Sequence, residues 1–184
     1  KKKISEILCG LNMLELSTFH LLTKDEAKKF NLEQFVEVED SKSEYKILKP
    51  ELIISNLNIL SKNIDSEYPQ RVFELGRVFN KDKENRTETG IKESDRLCIS
   101  IASPTTGFTE IKQILDYVMR MLGKGKDYTI ENATNPFFVE GRCGKILINN
   151  KPIGFLGEIQ PSLINKLGIK MPISALEIDI EELM

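Results

Sequence analysis

The 184-residue chain has one histidine, His20, and three cysteines, Cys9, Cys98 and Cys143. A single imidazole excludes a two-histidine metal site and any triad that would need a second one. His20 itself, between apolar neighbours, reads as a structural, hydrogen-bonded side chain on a strand. The cysteines are odd in number and widely separated. They show neither metal-ligand spacing nor a disulfide framework, so reduced thiols in a cytoplasmic protein are the expectation. Long apolar runs are missing too: no stretch approaches the ~20 residues of a membrane span, and no signal peptide opens the chain. There is no excess of basic charge. The formal net charge is −2, which gives no field for gripping nucleic acid unaided. Lys1-Lys2-Lys3 therefore reads as a solvated helix start. Internal repeats and low-complexity tracts are absent. The first residue is not methionine, so residues 1–184 are expected to be one module cut from a longer protein.

What is present is ordinary globular material, 40% hydrophobic and 29% charged, long enough to bury a core without disulfide or metal. Ile4, Ile7, Leu8 and Leu11 recur at helical spacing, with Gly10 and Asn12 closing the helix. Leu14 to Leu22 alternates as one strand should. Thr23 and Glu26 have the spacing of a capping box for a short helix through Phe30. Phe35–Val38 reads as a strand. Pro50 suits the first position of a helix that carries Leu52, Ile53, Leu57 and Leu60 to about Asn63.

Arg71–Phe79 and Leu97–Ala102 read as strands, with Lys81–Ser94 between them as an exposed, mobile hairpin loop. Ile111, Ile114, Leu115, Val118, Met119 and Leu122 form one helical stripe, ended by Gly123. Further strands are expected at 128–130, 144–148, 153–158 and 174–180. Asn149-Asn150 turns one pair into a hairpin, and Pro161 opens a helix to Leu167. Strands joined by hairpins and short helices, without βαβ alternation, predict an α+β fold with a mostly antiparallel sheet flanked by helices.

Few residues carry chemistry. Gly123-Lys124-Gly125-Lys126 hints at phosphate binding but lacks the P-loop spacing and follows a helix instead of preceding one, so a C-terminal cap is the better reading. Gly154 and Gly157 inside a strand mark close backbone approach or a bend. Glu177, Asp179 and Glu181 lie on one strand face by period two. A cation site is one reading of them; an exposed sheet edge is the more ordinary one.

Two ordered stretches are specific. The first is Pro69-Gln70-Arg71-Val72-Phe73-Glu74-Leu75-Gly76-Arg77-Val78-Phe79. The second runs from Asn135 through Gly141-Arg142-Cys143 and Ile153-Gly154-Phe155-Leu156-Gly157-Glu158-Ile159-Gln160-Pro161 to Ala175-Leu176-Glu177-Ile178-Asp179. With the helix Glu110–Leu122 between them, they resemble the β subunit of phenylalanyl-tRNA synthetase over essentially the whole chain, and archaeal or eukaryotic forms more than bacterial ones. The resemblance implies a class II aminoacyl-tRNA synthetase-like core that performs no chemistry. Its implied partners are an α subunit, in a heterotetramer of two α and two β subunits, and phenylalanine tRNA through the whole complex, with no membrane involved.

The resemblance also implies that ATP and magnesium serve the whole enzyme while this module binds no cofactor, no metal and no catalytic residue of its own. A catalytic class II sheet needs arginines to neutralise phosphate charge. After Gly76-Arg77-Val78-Phe79 the next residue is Asn80, and Glu182 falls near a second expected arginine. Arg71 and Arg77, on alternating positions of one strand face, remain as residual anion-binding candidates. The alternatives are an active ATP-binding class II ligase domain, an RNA-binding module and a stand-alone protein-interaction domain. The segment Ile4–Leu22, with Glu15 after the turn, resembles the class II interface motif. It departs from that motif in having Asn12-Met13 where a glycine–aromatic pair is expected and in lacking a proline in the strand.

Overall fold

A computed structural model describes residues 1–82 and 87–183. The central feature is a seven-stranded sheet built of β1 (Leu14–Leu16), β5 (Gln70–Lys81), β6 (Ile91–Ala102), β7 (Tyr128–Asn132), β8 (Phe138–Ile148), β9 (Lys151–Ile159) and β10 (Ile173–Asp179). Their spatial order is β1-β5-β6-β10-β9-β8-β7. Among the described residues only the β1–β5 pair of this sheet is parallel, so the α+β, mostly antiparallel expectation is met. A small sheet of β2 (Leu21–Thr23), β3 (Val36–Glu37) and β4 (Tyr45–Leu48) lies apart, in the order β2-β4-β3.

Apolar side chains leave both faces of the large sheet, and helices cover each. On one face Phe73, Leu97, Ile99, Leu176 and Ile178 pack with α1 (Lys2–Gly10) and α4 (Phe108–Met121). On the other, Val72, Val78, Cys98 and Ala175 pack with α3 (Leu52–Lys62), α2 (Lys24–Lys29) and α5 (Pro161–Lys166). The period-two alternation of β5, β6 and β10 feeds both cores at once. Burying an aliphatic side chain such as Leu57 or Ile99 stabilises by about 1.5–3 kcal/mol, and both are fully buried.

Several local readings hold. The Glu26 amide donates to Thr23 Oγ1 while Glu26 Oε2 accepts from the Thr23 amide, a complete capping box. Asn149 and Asn150 adopt positive φ and link β8 to β9. Gly123 ends α4 with φ +78°, its amide donating to the Arg120 carbonyl, so the glycine–lysine run is a helix terminus.

Others need correction. Leu14–Leu22 is two strands in two sheets. The chain leaves the large sheet after Leu16, where the Thr18 amide and hydroxyl both donate to Glu74 Oε1. His20 lies exposed at a bend between them; its carbonyl accepts from the Lys49 amide and its ring stands edge-on to Phe79. Pro50 does not open α3. Asn80 holds its carbonyl, Glu51 is the extended N-cap, and the helix begins at Leu52. Tyr45–Leu48 forms a strand that its mixed composition does not announce.

The hairpin loop is shorter than Lys81–Ser94: pairing continues to Lys81 opposite Ile91. Of the residues expected to be mobile there, 83–86 lie outside the described ones. Glu177 and Asp179 stand on β10, which is central between β6 and β9, so they are on no sheet edge. Glu181 has left the strand for a 3-10 turn, Glu181–Leu183.

Candidate functional site

The sheet face beneath α3 gathers many of the buried polar side chains, among them Lys49, Asn56, Glu74, Ser100 and Glu177. Register places Glu74 and Gly76 of β5, Arg96, Cys98 and Ser100 of β6, and Glu177 and Asp179 of β10 on this one face. Gly76 matters sterically. A Cβ there would stand 2.9 Å from Leu52 Cδ2 and 3.3 Å from Glu74 Oε1, so glycine lets these two side chains lie directly over the strand. Leu52, Ile53, Ile54 and Leu57 are accordingly buried.

Two charged clusters lie under this contact. In the first, Lys49 and Glu74 are paired at 3.0 Å, and their side chains are only 1% and 3% exposed. The Lys49 ammonium also donates to Thr18 Oγ1 at 2.8 Å. Two buried unit charges are tolerable only with such mutual satisfaction. Even so, Glu74 Oε2 has no hydrogen-bond partner.

In the second cluster, Glu177 is 7% exposed. Its Oε2 accepts from the Ile53 amide at 2.8 Å and its Oε1 from Arg96 at 2.9 Å. Glu51 is close by. Burial first, then the neighbouring Glu177 charge, pushes its carboxyl up to about 8 against the opposing pull of Arg96. Burial opposes the charge on Arg96, but Glu177, Glu51 and Asp179 outweigh it and hold the guanidinium charged. With Glu51 mostly protonated near neutrality, the face still carries three carboxylates, Glu74, Glu177 and Asp179, against Lys49 and Arg96.

Arg71 and Arg77 are not part of this cluster. They share one strand face, as their spacing requires, but it is the opposite one, with Phe73 between them in the core under α1 and α4. Arg71 donates to Glu110 at 2.5 Å. Arg77 contacts Glu93 at 3.0 Å and Asp95 at 3.2 Å; the hydrogen bond it donates to Asp95 keeps this guanidinium firmly charged. Partial burial opposes ionisation of Asp95, yet Lys1 and Arg77 together hold it below the usual carboxylate range. Glu182 is paired with Lys151. Among the described residues, no group of three metal-ligating side chains comes together, and no helix is long and apolar enough to cross a membrane. The three cysteines are free thiols, with Cys98 and Cys143 buried.

Lys49, Glu51 and Arg96 escaped the sequence reading. The signal for Arg96 was available: Arg96, Cys98 and Ser100 alternate with Leu97, Ile99 and Ile101, which puts a polar row across a central strand. Lys49 and Glu51 carry no such signal, because a lysine and a glutamate flanking Pro50 look solvated until the fold covers them.

The module also presents an uncovered edge. β1 is the last strand of the sheet, and Leu14 on it is 66% exposed. A groove of about 430 Å³ beside it is lined by Cys9, Met13, Leu14, Ile59, Pro69 and Arg71, among others.

The sequence model for the phenylalanyl tRNA synthetase beta chain CLM domain matches residues 1–180. The phenylalanine–tRNA ligase beta subunit of Thermococcus gammatolerans is 37% identical over 193 residues, covering 98% of this chain and 33% of that protein. Its counterpart from Thermococcus sibiricus is 38% identical over 179 residues, covering 95% and 31%. The chain therefore spans about a third of the length of these relatives. Among solved structures, a pyrrolysyl tRNA synthetase of Desulfitobacterium hafniense aligns with a TM-score of 0.79 at 17% identity, over 99% of this chain and 65% of that one. At that identity the likeness is one of fold, and the class II-like architecture expected from the resemblance is the one found.

Proposed function

Because the chain belongs to the family of phenylalanyl-tRNA synthetase β-chain CLM domains, we propose that it is the catalytically silent core of a phenylalanine–tRNA ligase β subunit. Its work is structural. It pairs with the α subunit, which binds phenylalanine, ATP with magnesium, and the tRNA acceptor end. The assembled enzyme is a cytoplasmic heterotetramer of two α and two β subunits.

The observation that carries the reading is the occupancy of the sheet face by the chain itself. α3 sits on β5, β6 and β10, and the charged groups below it pair within the chain, Lys49 with Glu74 and Arg96 with Glu177. A triphosphate approaching this face would meet the carboxylates of Glu74, Glu177 and Asp179. Like charges at about 4 Å cost ~1 kcal/mol in water and several times that near a protein interior. Arg71 and Arg77 offer no relief, since they face the other way and are neutralised by Glu110, Glu93 and Asp95.

The edge at β1 supports the partner half of the reading. An exposed leucine on an unpaired edge strand, beside an apolar-lined groove, is surface that an obligate subunit interface would bury. Two measurements test the proposal. Titrating the full-length protein, freed of its α subunit, with ATP and magnesium should give no saturable heat; micromolar binding would refute silence. Leu14→Glu should leave the fold intact by circular dichroism while reducing co-purification of the α subunit at least tenfold. Undiminished pairing would refute the interface.

A further inference from the structure

The environment of Glu177 is that of a bound carboxylate. Its two oxygens are taken by separate donors from separate elements: the Ile53 amide in the first turn of α3 at 2.8 Å, and the Arg96 guanidinium from β6 at 2.9 Å. A backbone amide at a helix start plus an arginine is a donor set suited to small oxyanions. The N-cap residue Glu51 supplies no side-chain bond to the helix end, so Glu177 provides what the cap does not. The donors are also not exhausted. Arg96 Nε is buried and has no hydrogen-bond partner, so the guanidinium meets Glu177 through one nitrogen where a free planar carboxylate could take two. With Oε2 held by the Ile53 amide, Glu177 presents only Oε1 to the guanidinium.

From this we infer that Glu177 is a built-in anionic ligand: it fills a small carboxylate-binding site between α3 and the sheet, and so keeps this face closed to anions from outside. The inference deepens the silent-core reading and rests on it. It adds that closure depends on one side chain occupying a site whose donors are otherwise intact. Truncating that side chain leaves a space of carboxylate size lined by the Ile53 amide and Arg96. A small monocarboxylate, formate being the simplest, then binds there. Glu51 lies close to both Glu177 and Arg96 and could swing into the space, so it must be neutralised in the test.

The test uses the full-length protein with Glu177→Ala and Glu51→Gln, titrated with sodium formate against sodium chloride at constant ionic strength, following the thermal unfolding midpoint. The double variant should unfold earlier than the unaltered protein in chloride and recover along a saturable curve with a millimolar midpoint in formate. The unaltered protein, and a triple variant that adds Arg96→Leu, should not respond beyond the general salt effect. A double variant that folds only in formate supports the same conclusion. A double variant that is no more formate-sensitive than the unaltered protein, or that fails to fold in either salt, overturns the inference, as does equal rescue of the triple variant. None of these results bears on ATP binding by the unaltered protein, which alone decides the silent-core reading.

Discussion

Replacing Glu51 with glutamine should flatten the pH dependence of stability near neutrality. Glu51 lies at the N-cap of α3, close to Glu177 of β10 and Arg96 of β6, with Asp179 acting on the same Arg96. Its carboxyl is raised from an ordinary 4.5 to about 8 in the folded chain, chiefly by burial and then by Glu177. The folded state therefore holds a proton that the unfolded state releases across this window. A raised acid of this kind contributes its full stabilisation below the unfolded value and loses it as pH rises through the folded one.

The slope is ~1.4 kcal/mol per pH unit for one proton. Between pH 5.5 and 7.5 the loss is about 2–3 kcal/mol, a shift of ~1 M in the urea midpoint for a domain of this size. Glutamine matches the shape of the protonated acid and cannot ionise. The variant should equal the unaltered protein below about pH 4.5, exceed it by ~1.4 kcal/mol at pH 5.5, and exceed it by about 4 kcal/mol at pH 7.5. Urea unfolding of both proteins at four pH values, followed by circular dichroism, measures this. Parallel curves for the two proteins would refute the reasoning.

Other outcomes follow from the same face and from the strands that build it. Lys49→Met should destabilise by about 3–5 kcal/mol by stranding Glu74, whereas Lys49→Met with Glu74→Leu should recover most of that, because an apolar pair replaces two buried charges; a denaturation double-mutant cycle measures the coupling. Gly154→Ala should reduce soluble, folded protein sharply, since its Cβ would fall 2.0 Å from the Glu177 carbonyl oxygen. A Gly154→Ala variant within about 1 kcal/mol of the parent would show that β9 and β10 do not approach so closely.

The elements that could be read directly from the sequence are those whose cause is local. The stripe of α4, the Thr23–Glu26 capping box and the Asn149-Asn150 turn each rest on residues a few positions apart, and chemistry at that range is fixed by the chain's own periodicity and sterics. Gly154 and Gly157 announced a close backbone approach in a strand but not its partner; for Gly154 that is the Glu177 carbonyl. Gly157, like Gly154, lies against backbone: its Cβ would be 2.5 Å from the Arg142 carbonyl oxygen. The ordered motifs around Phe73-Glu74-Leu75-Gly76 and Ile153–Pro161 also identified the family.

Tertiary structure alone decided where strands stop and which charges meet. Leu14–Leu22 alternates without a break, yet Glu74, fifty-six residues beyond Thr18, pulls the chain out of the sheet. Pro50 looks like a helix start until pairing around Lys49 and Asn80 holds it outside. Glu177 reads as an edge carboxylate and stands at the sheet's centre, 124 positions from the amide it accepts. Arg71 and Arg77 keep the common face their spacing demands, but no period can say which of two covered faces that is, because a sheet buried on both sides presents the same alternation to each.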